Sequence, residues 1–479
     1  MSEHFALMVP GASADGKPLT VRAPFDNQAI ATVERGGQAA AEQALATAHA
    51  LYRNRDGWLS PARRIEILKK IADLLHRQRE FLATESAREG GKPLPDSLVE
   101  IDRAVDSFRS CVDHLRVQAG NCIPMDITPS SANRLAFTIH EPIGVVLAFS
   151  AFNHPLNLIA HQIGPAIAAG CPVIIKPAEA TPLSCMRIVA MVREAGLPEG
   201  WCQALLTTGR DVSLALVSDP RVAFFSFIGS GKVGWMLRSK LAPGTRCALE
   251  HGGAAPAIVM ADADLDQAVP LLSKGGMYHA GQVCVSVQRI FAHREIIDKL
   301  AQQLAQACGD LRVGDPTLAE TEVGPLIREA EVQRVDEWVR EAIAGGAGLL
   351  CGGKILSATT YQPTVLLNPP ADVRVSTQEI FGPVVCIYEF SDIDDAIARA
   401  NSLPFSFQAS VFTRDIDSAL RVSRRIDAAS VMINDHTAFR VDWMPFAGFK
   451  ESGYGVGGIP YTLKDMQVEK QIIIKSGEI

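Results

Sequence analysis

Two apolar patterns of different period alternate through the middle of the chain, and no other feature restricts its fold as much. GVVLAF (144–149) is a short, wholly apolar run of the kind buried on both faces of a sheet. NLIAHQIGPAIAAG (157–170) has the length and pattern of a helix ended by glycine, and PVIIKP (172–177) is strand-like again. Thr181 then offers an N-cap, with Pro182 at the first helical position and Gly196 near the end. CQALLT, VAFFSFI and RCALE follow as further strands with helical stretches between them. Strand–helix alternation with short connections predicts a parallel sheet covered by helices on both faces. After Gly253 the alternation starts afresh with PAIVM, a helix from about Asp264, the loop at Cys284 and VSVQRIFAH, which predicts a second α/β domain. Residues 57–119 are helical by pattern, most clearly in WLSPARRIEILKKIADLLHRQ. MQVEKQIIIKS (466–476) is strand-like and is expected to extend another sheet, a neighbouring subunit's being one candidate.

Bulk properties bound the function. A length of 479 residues suggests roughly three folding units. The net charge of -7 gives a nucleic-acid role no electrostatic support. No apolar run approaches the ~18 residues of a membrane span, and the first residues lack a signal-peptide pattern, so a cytoplasmic, membrane-free protein is expected. Ten scattered cysteines without a CxxC fit reduced thiols rather than disulfides or a zinc site.

Several polar residues fall where such folds bind ligands. The strand VAFFSFI runs into GSGKVG (229–234) and then a helix, an arrangement suited to a pyrophosphate at a helix N-terminus but equally to a plain turn. KPAE (176–179) ends another strand with a lysine and a glutamate able to bond ribose hydroxyls. Both sets lie at strand carboxyl ends of one sheet, and the coincidence points to a nucleotide. Cys284, in GQVCVSVQR, is either a small buried hydrophobe or a nucleophile. Asn153 in FNHP, Glu250 in LEHGG and Glu379 in EIFGPV add an amide donor and two carboxylates, all at turns. A thiol, an amide, a carboxylate base and a nucleotide site together suggest oxidation through a covalent thioester.

Seven motifs in order, EPIGVVLAFSAFNHPLNLIAHQIGPAIAAG, KPAEATPLS, FIGSGKVG, LEHGGAAPAIV, GQVC, EIFGPV and PFAGFKESGYG, make the chain similar to the aldehyde dehydrogenase superfamily over nearly its whole length. The resemblance implies that Cys284 attacks an aldehyde carbon, that Asn153 and the Cys284 N–H hold the oxyanion, and that Glu250 activates water. It implies NAD contacts from Lys176 and Glu179 at the adenosine ribose, Gly229 and Ser230 at the pyrophosphate, Val233 near the adenine, and Glu379 and Phe381 at the nicotinamide end. A carboxylate at Glu179 favours NAD over NADP without excluding NADP. It further implies two doubly wound α/β domains plus a small β oligomerisation element. The nucleotide-binding domain would comprise 1–115 and 139–249, the catalytic domain 250–445, and the oligomerisation element 116–138 and 446–479. A homodimer or homotetramer is expected.

The departures from the family pattern concern the substrate. His154, Asn157 and His161 stand where relatives carry an apolar tunnel face, and Arg440, ahead of Phe446 in TAFRVDWMPFAG, falls near a position that is commonly aromatic. These residues favour a small polar or anionic aldehyde of the lactaldehyde, glyceraldehyde, semialdehyde or sulfo- or phosphono-aldehyde type. The alternative for Arg440 is a surface ion pair with Asp442 or Asp435. Val283 ahead of the cysteine argues against a phosphorylated substrate, and FRxDxxPF with GQVCVSVQR resembles the lactaldehyde/glyceraldehyde-type branch. His251 and Ala254 replace a leucine and a lysine. A CoA-acylating enzyme and a non-catalytic ligand-binding protein are the competing readings, and Glu250 argues against the first.

Overall fold

The computed structural model describes residues 3–479. Its first sheet has six strands in the order Gly453–Tyr454, Arg246–Glu250, Val222–Ile228, Val145–Phe149, Val173–Lys176 and Cys202–Ala204. All pairings are parallel except that of Gly453–Tyr454, which is antiparallel. The chain order reverses between Val145–Phe149 and Val222–Ile228, so a crevice opens at the carboxyl ends of these neighbours. Every residue of Val145–Phe149 is buried, which explains its unbroken apolar sequence. Helix Asn157–Ala169 is buried at every position, and left-handed Gly170 (φ 85°) ends it.

The second sheet has seven strands, Gly348–Cys351, Thr364–Leu367, Val384–Phe390, Val287–His293, Ala255–Val259, Gln408–Phe412 and Ser430–Ile433, antiparallel only at the first pair. The two sheets have separate apolar cores, and the chain crosses from one to the other through residues 251–254. The amphipathic segment forms three helices, Pro61–Arg77, Arg79–Gly90 and Leu94–Val117. The first is capped by Ser60, whose hydroxyl accepts from the Arg63 N–H at 3.3 Å.

Two expectations shift, and one of the alternatives open for the C-terminal strand is decided. Thr181 does not cap the following helix: its hydroxyl donates to the Phe152 carbonyl at 3.3 Å, and the helix spans Leu183–Glu194 with Pro182 at the cap. The buried Glu89 carboxylate caps it instead, accepting from the Leu183 N–H and from the Ser184 N–H and hydroxyl at 3.0 and 2.7 Å. The C-terminal strand Gln467–Lys475 pairs with Arg134–Pro142 of its own chain, antiparallel through nine residue pairs. With Cys122–Ile123 they make a three-stranded sheet whose outer edge is Gln467–Lys475. Residues 446–466, expected in that element, pack elsewhere. Phe449–Lys450 pairs with Phe405–Ser406, Gly453–Tyr454 joins the first sheet, and helix Ile459–Asp465 lies on Asn157–Ala169 and Leu94–Val117.

Candidate active site

A cleft of about 1280 Å³ runs between the sheets, and Asn153, Glu250, Cys284, Glu379, Phe381, Arg440 and Phe446 all line it. Cys284 is therefore not a core residue. It lies half-buried beside a small apolar cluster of Val283, Val285, Phe407 and Phe446. The turn ahead of it is strained, since His279 (φ 48°), Ala280 (φ 54°) and Gly281 (φ 70°) are successively left-handed. Gly281 has no alternative there, because a Cβ would run into the Gly382 carbonyl. Gln282 ties the turn down: its side chain donates to the His279 and Pro325 carbonyls at 3.3 and 3.2 Å and accepts from the Ile327 N–H at 3.0 Å.

Asn153 sits just past the carboxyl end of its strand and is 6% exposed. Its Nδ2 donates to the Gln282 carbonyl at 2.9 Å, which fixes the amide beside the cysteine turn. A fully buried Lys92–Glu100 ion pair supports the same loop. Lys92 Nζ donates to the Asn153 carbonyl at 3.4 Å, while Glu100 Oε1 accepts from the Leu156 and Asn157 N–H groups at 2.9 Å each. Burial pushes the Cys284 thiol up to about 12; Arg440 is the main charge pulling the other way, while Glu379 and Glu250 add to the rise. The resting sulfur is thus protonated at neutral pH. Burial also raises the Glu250 carboxyl, against Arg440.

The cofactor end fits a dinucleotide. Gly229, Ser230 and Val233 line the cleft where helix Gly231–Arg238 begins, and Ser230 makes no side-chain cap, so the first N–H groups are available to an anion. The Glu379 carboxylate lies flat on Gly252, where any Cβ would overlap it, and accepts from the Gly253 N–H at 3.1 Å. Burial pushes Glu379 up to about 8, with the Gly253 N–H opposing. Phe381 is left-handed (φ 48°) and meets Phe152 edge-on at 6.0 Å. Lys176 and Glu179 stand at the rim, beside the lining residues Ala178 and Ala180. Sequence reasoning missed Arg35, which pairs with Glu179 at 3.4 Å. It offsets the charge expected to repel a 2′-phosphate, so preference for NAD over NADP is weaker than Glu179 alone implies.

The opposite wall corrects two expectations. His161 does not face the cleft: it is 5% exposed, and its Nε2 lies 2.7 Å from Asp442 Oδ1. Arg440 is not in a surface ion pair, being 8% exposed and only 3.9 Å from Asp442 at its nearest. Asp442 is already engaged by Arg103 through two bonds of 2.6 and 3.0 Å and by Asn157 at 3.2 Å. Burial opposes its charge, but His161 and Arg103 hold its carboxyl well below the usual range. Arg440 Nε finds no acceptor among the described residues, and its guanidinium sits 3.5 Å over the Phe446 ring. His154 and Asn157 do line the cleft, and His154 Nε2 lies 3.1 Å from the Tyr278 hydroxyl. Arg103 also lines it and was missed, because in Leu94–Val117 its charge resembles that of any solvated helix face. His251 wedges between Phe227 and Trp235, its Nδ1 3.0 Å from the Gly229 carbonyl, against a glycine (Gly234) that leaves it room.

The model of the aldehyde dehydrogenase family matches residues 11–472. The chain belongs to that family. A 3-sulfolactaldehyde dehydrogenase of Priestia aryabhattai is 40% identical over 415 residues, 87% of each chain. Aldehyde dehydrogenase 21 from Physcomitrella patens, solved with the reaction product succinate, superposes with a TM-score of 0.95 at 31% identity over 100% of both chains. A glyceraldehyde-3-phosphate dehydrogenase of Methanocaldococcus jannaschii, complexed with NADP, has a TM-score of 0.91 at 35% identity over 97% of this chain and 99% of its own. This aldehyde dehydrogenase accordingly has the mixed α/β fold and NAD(P)-dependent aldehyde oxidation of its family. No helix among the described residues is long and apolar enough to cross a membrane.

Proposed function

We propose that this aldehyde dehydrogenase oxidises a short aldehyde carrying one negative charge, by thioester formation on Cys284 and hydrolysis with Glu250 as base. The carrying observation is Arg440, a buried guanidinium with no full partner that lines the same cleft as Cys284. Asp442 consumes the charge of Arg103, and Arg440, with Glu250 as its main counter-charge and Asp442 3.9 Å away, is left to meet a substrate anion. That suits a carboxylate or sulfonate better than a phosphate dianion, and Val283 supplies no further cation beside the cysteine. The sulfolactaldehyde activity named for one relative is of this class, and the reaction product succinate bound to another carries a carboxylate at each end of a short chain.

The chemistry follows from the lining groups. The thiol gives up its proton to solvent water in the cleft, and Cys284 sulfur bonds to the aldehyde carbon. The oxygen, now negative, is held by the Asn153 amide and the Cys284 N–H; losing one such donor costs about 3 kcal/mol in the transition state. NAD(P), which Ser230 and Glu379 would hold, would supply the acceptor for the hydride that this carbon gives up. The acyl group is then a thioester on Cys284. Glu250 takes a proton from water, the water oxygen bonds to the acyl carbon, the C–S bond breaks, and the acid leaves the regenerated thiol.

Two further readings belong with this one. We read the first sheet as the nucleotide part, the second as the catalytic part, and the sheet of Cys122–Ile123, Arg134–Pro142 and Gln467–Lys475 as the β element, so that its boundary lies past 138. We also read the molecule as a homodimer or homotetramer. The open edge Gln467–Lys475 and the exposed Leu135, Ile139, Ile473 and Ile474 on its sheet need a cover. The deciding experiment measures NADH and NADPH formation from neutral, carboxylated, sulfonated and phosphorylated short aldehydes. Cys284→Ala should bind cofactor without turnover, and Glu250→Gln should stall after one NADH per site. Turnover by Cys284→Ala, or best activity on neutral or phosphorylated aldehydes, would overturn the respective part.

A further inference from the structure

Glu250 ends strand Arg246–Glu250 with its carboxylate in the cleft. Gly453–Tyr454 pairs alongside that strand, with Gly453 opposite Glu250. The chain then turns through Gly455 (φ 85°) and meets Phe446 in an isolated bridge. There the Phe446 N–H donates to the Gly457 carbonyl at 3.0 Å, and the Gly457 N–H donates to the Phe446 carbonyl at 2.7 Å. This bridge lays Gly457 directly against the Glu250 side chain. A methyl group on Gly457 would overlap Glu250 Oε1 and come within 3.0 Å of both Glu250 Cδ and the Phe446 carbonyl oxygen. Backbone conformation does not require glycine at 457. Its neighbours Gly455 and Gly458 are left-handed at 85° and 96°, whereas Gly457 is not. What its missing side chain provides is space, and the carboxylate of Glu250 fills it.

We propose that Gly457 is a positioning residue for deacylation: the notch it leaves seats the Glu250 carboxylate from which water is activated. The inference rests on reading Glu250 as the general base. Filling the notch pushes the carboxylate out of register with the thioester while leaving Cys284, Asn153 and the cofactor groups untouched. Acylation and deacylation therefore separate.

Rapid mixing of Gly457→Ala with aldehyde and excess NAD should give one NADH per site at the wild-type rate, followed by steady-state turnover at least tenfold slower. NAD affinity should be unchanged. Hydroxylamine, small enough to attack the thioester without a base, should restore turnover as the hydroxamate, releasing the Cys284 thiol. The double variant with Glu250→Gln should be no slower than Glu250→Gln alone, since both remove one function. Unchanged steady-state turnover, an equal loss in both phases, or additive losses would overturn the proposal. If Glu250→Gln itself turns over normally, the base assignment fails; if it stalls and Gly457→Ala does not, only the seat fails. Should Gly457→Ala not fold, Glu250→Ala/Gly457→Ala relieves the overlap and must fold. Its failure would place the need for glycine elsewhere.

Discussion

Replacing Arg440 by Met should make the protein more stable and a worse enzyme. The guanidinium is 8% exposed, 3.9 Å from an aspartate that three other side chains already occupy, and its Nε lacks an acceptor. Burial drags its basicity below the ordinary arginine range. Desolvating an ion costs several kcal/mol, and here the return is a distant partner, a long 3.4 Å contact with His161 Nδ1 and about 2 kcal/mol from the Phe446 ring. Methionine fills much of the same volume and keeps a favourable sulfur–ring contact of about 1 kcal/mol. The net gain is about 1 kcal/mol, which for a protein of this size raises Tm by roughly 1 °C. In the working enzyme the same change removes a hydrogen bond to a charged group, worth about 1.5–3 kcal/mol, or about ten- to a hundredfold in kcat/KM. That loss should fall on an aldehyde ending in carboxylate or sulfonate and spare propanal. Thermal melts and paired steady-state kinetics read both effects. A lower Tm, or equal losses on both aldehydes, would show that the arginine serves the fold and not an anion.

Two further outcomes concern the cofactor. Arg35→Ala should cut kcat/KM for NADP about three- to tenfold relative to NAD, because a half-buried cation beside Glu179 is lost; an unchanged ratio would assign it no role. Glu379 must ionise to accept bonds from ribose hydroxyls, yet burial holds it up at about 8 in the free protein. Its proton is bound below that pH and lost on binding, so NAD affinity should climb as pH rises to about 8 and level off above. Glu379→Gln should flatten the climb in a fluorescence titration, and a flat wild-type profile would refute it.

The parallel sheets were legible because their strands are buried on both faces and so carry unbroken apolar runs, as in Val145–Phe149. Cys284, Asn153, Glu250 and Glu379 were legible because turns at strand ends fix them in short local motifs. Arg103, Arg35 and the Lys92–Glu100 pair were not. Each meets its partner across a long stretch of chain or inside an ordinary helical pattern, and nothing local distinguishes it from a solvated charge. Thr181 misled for a related reason: the cap it should have supplied comes from Glu89, far earlier in sequence. His161 and Arg440 were placed on the correct wall, but their depth depended on Asp442, whose three partners come from two helices, Leu94–Val117 and Asn157–Ala169.

The 2.9 Å bond from Asn153 to the Gln282 carbonyl crosses between the two sheets' territories, as do Arg103–Asp442 and Lys274–Asp96. The catalytic apparatus is therefore also the seam of the molecule. The thiol hangs from one half, the amide and the base from the other, and a slight parting of the halves disarms the enzyme while each core stays intact. Loss of turnover should precede loss of secondary structure on warming, and cofactor, by bridging the seam, should delay it.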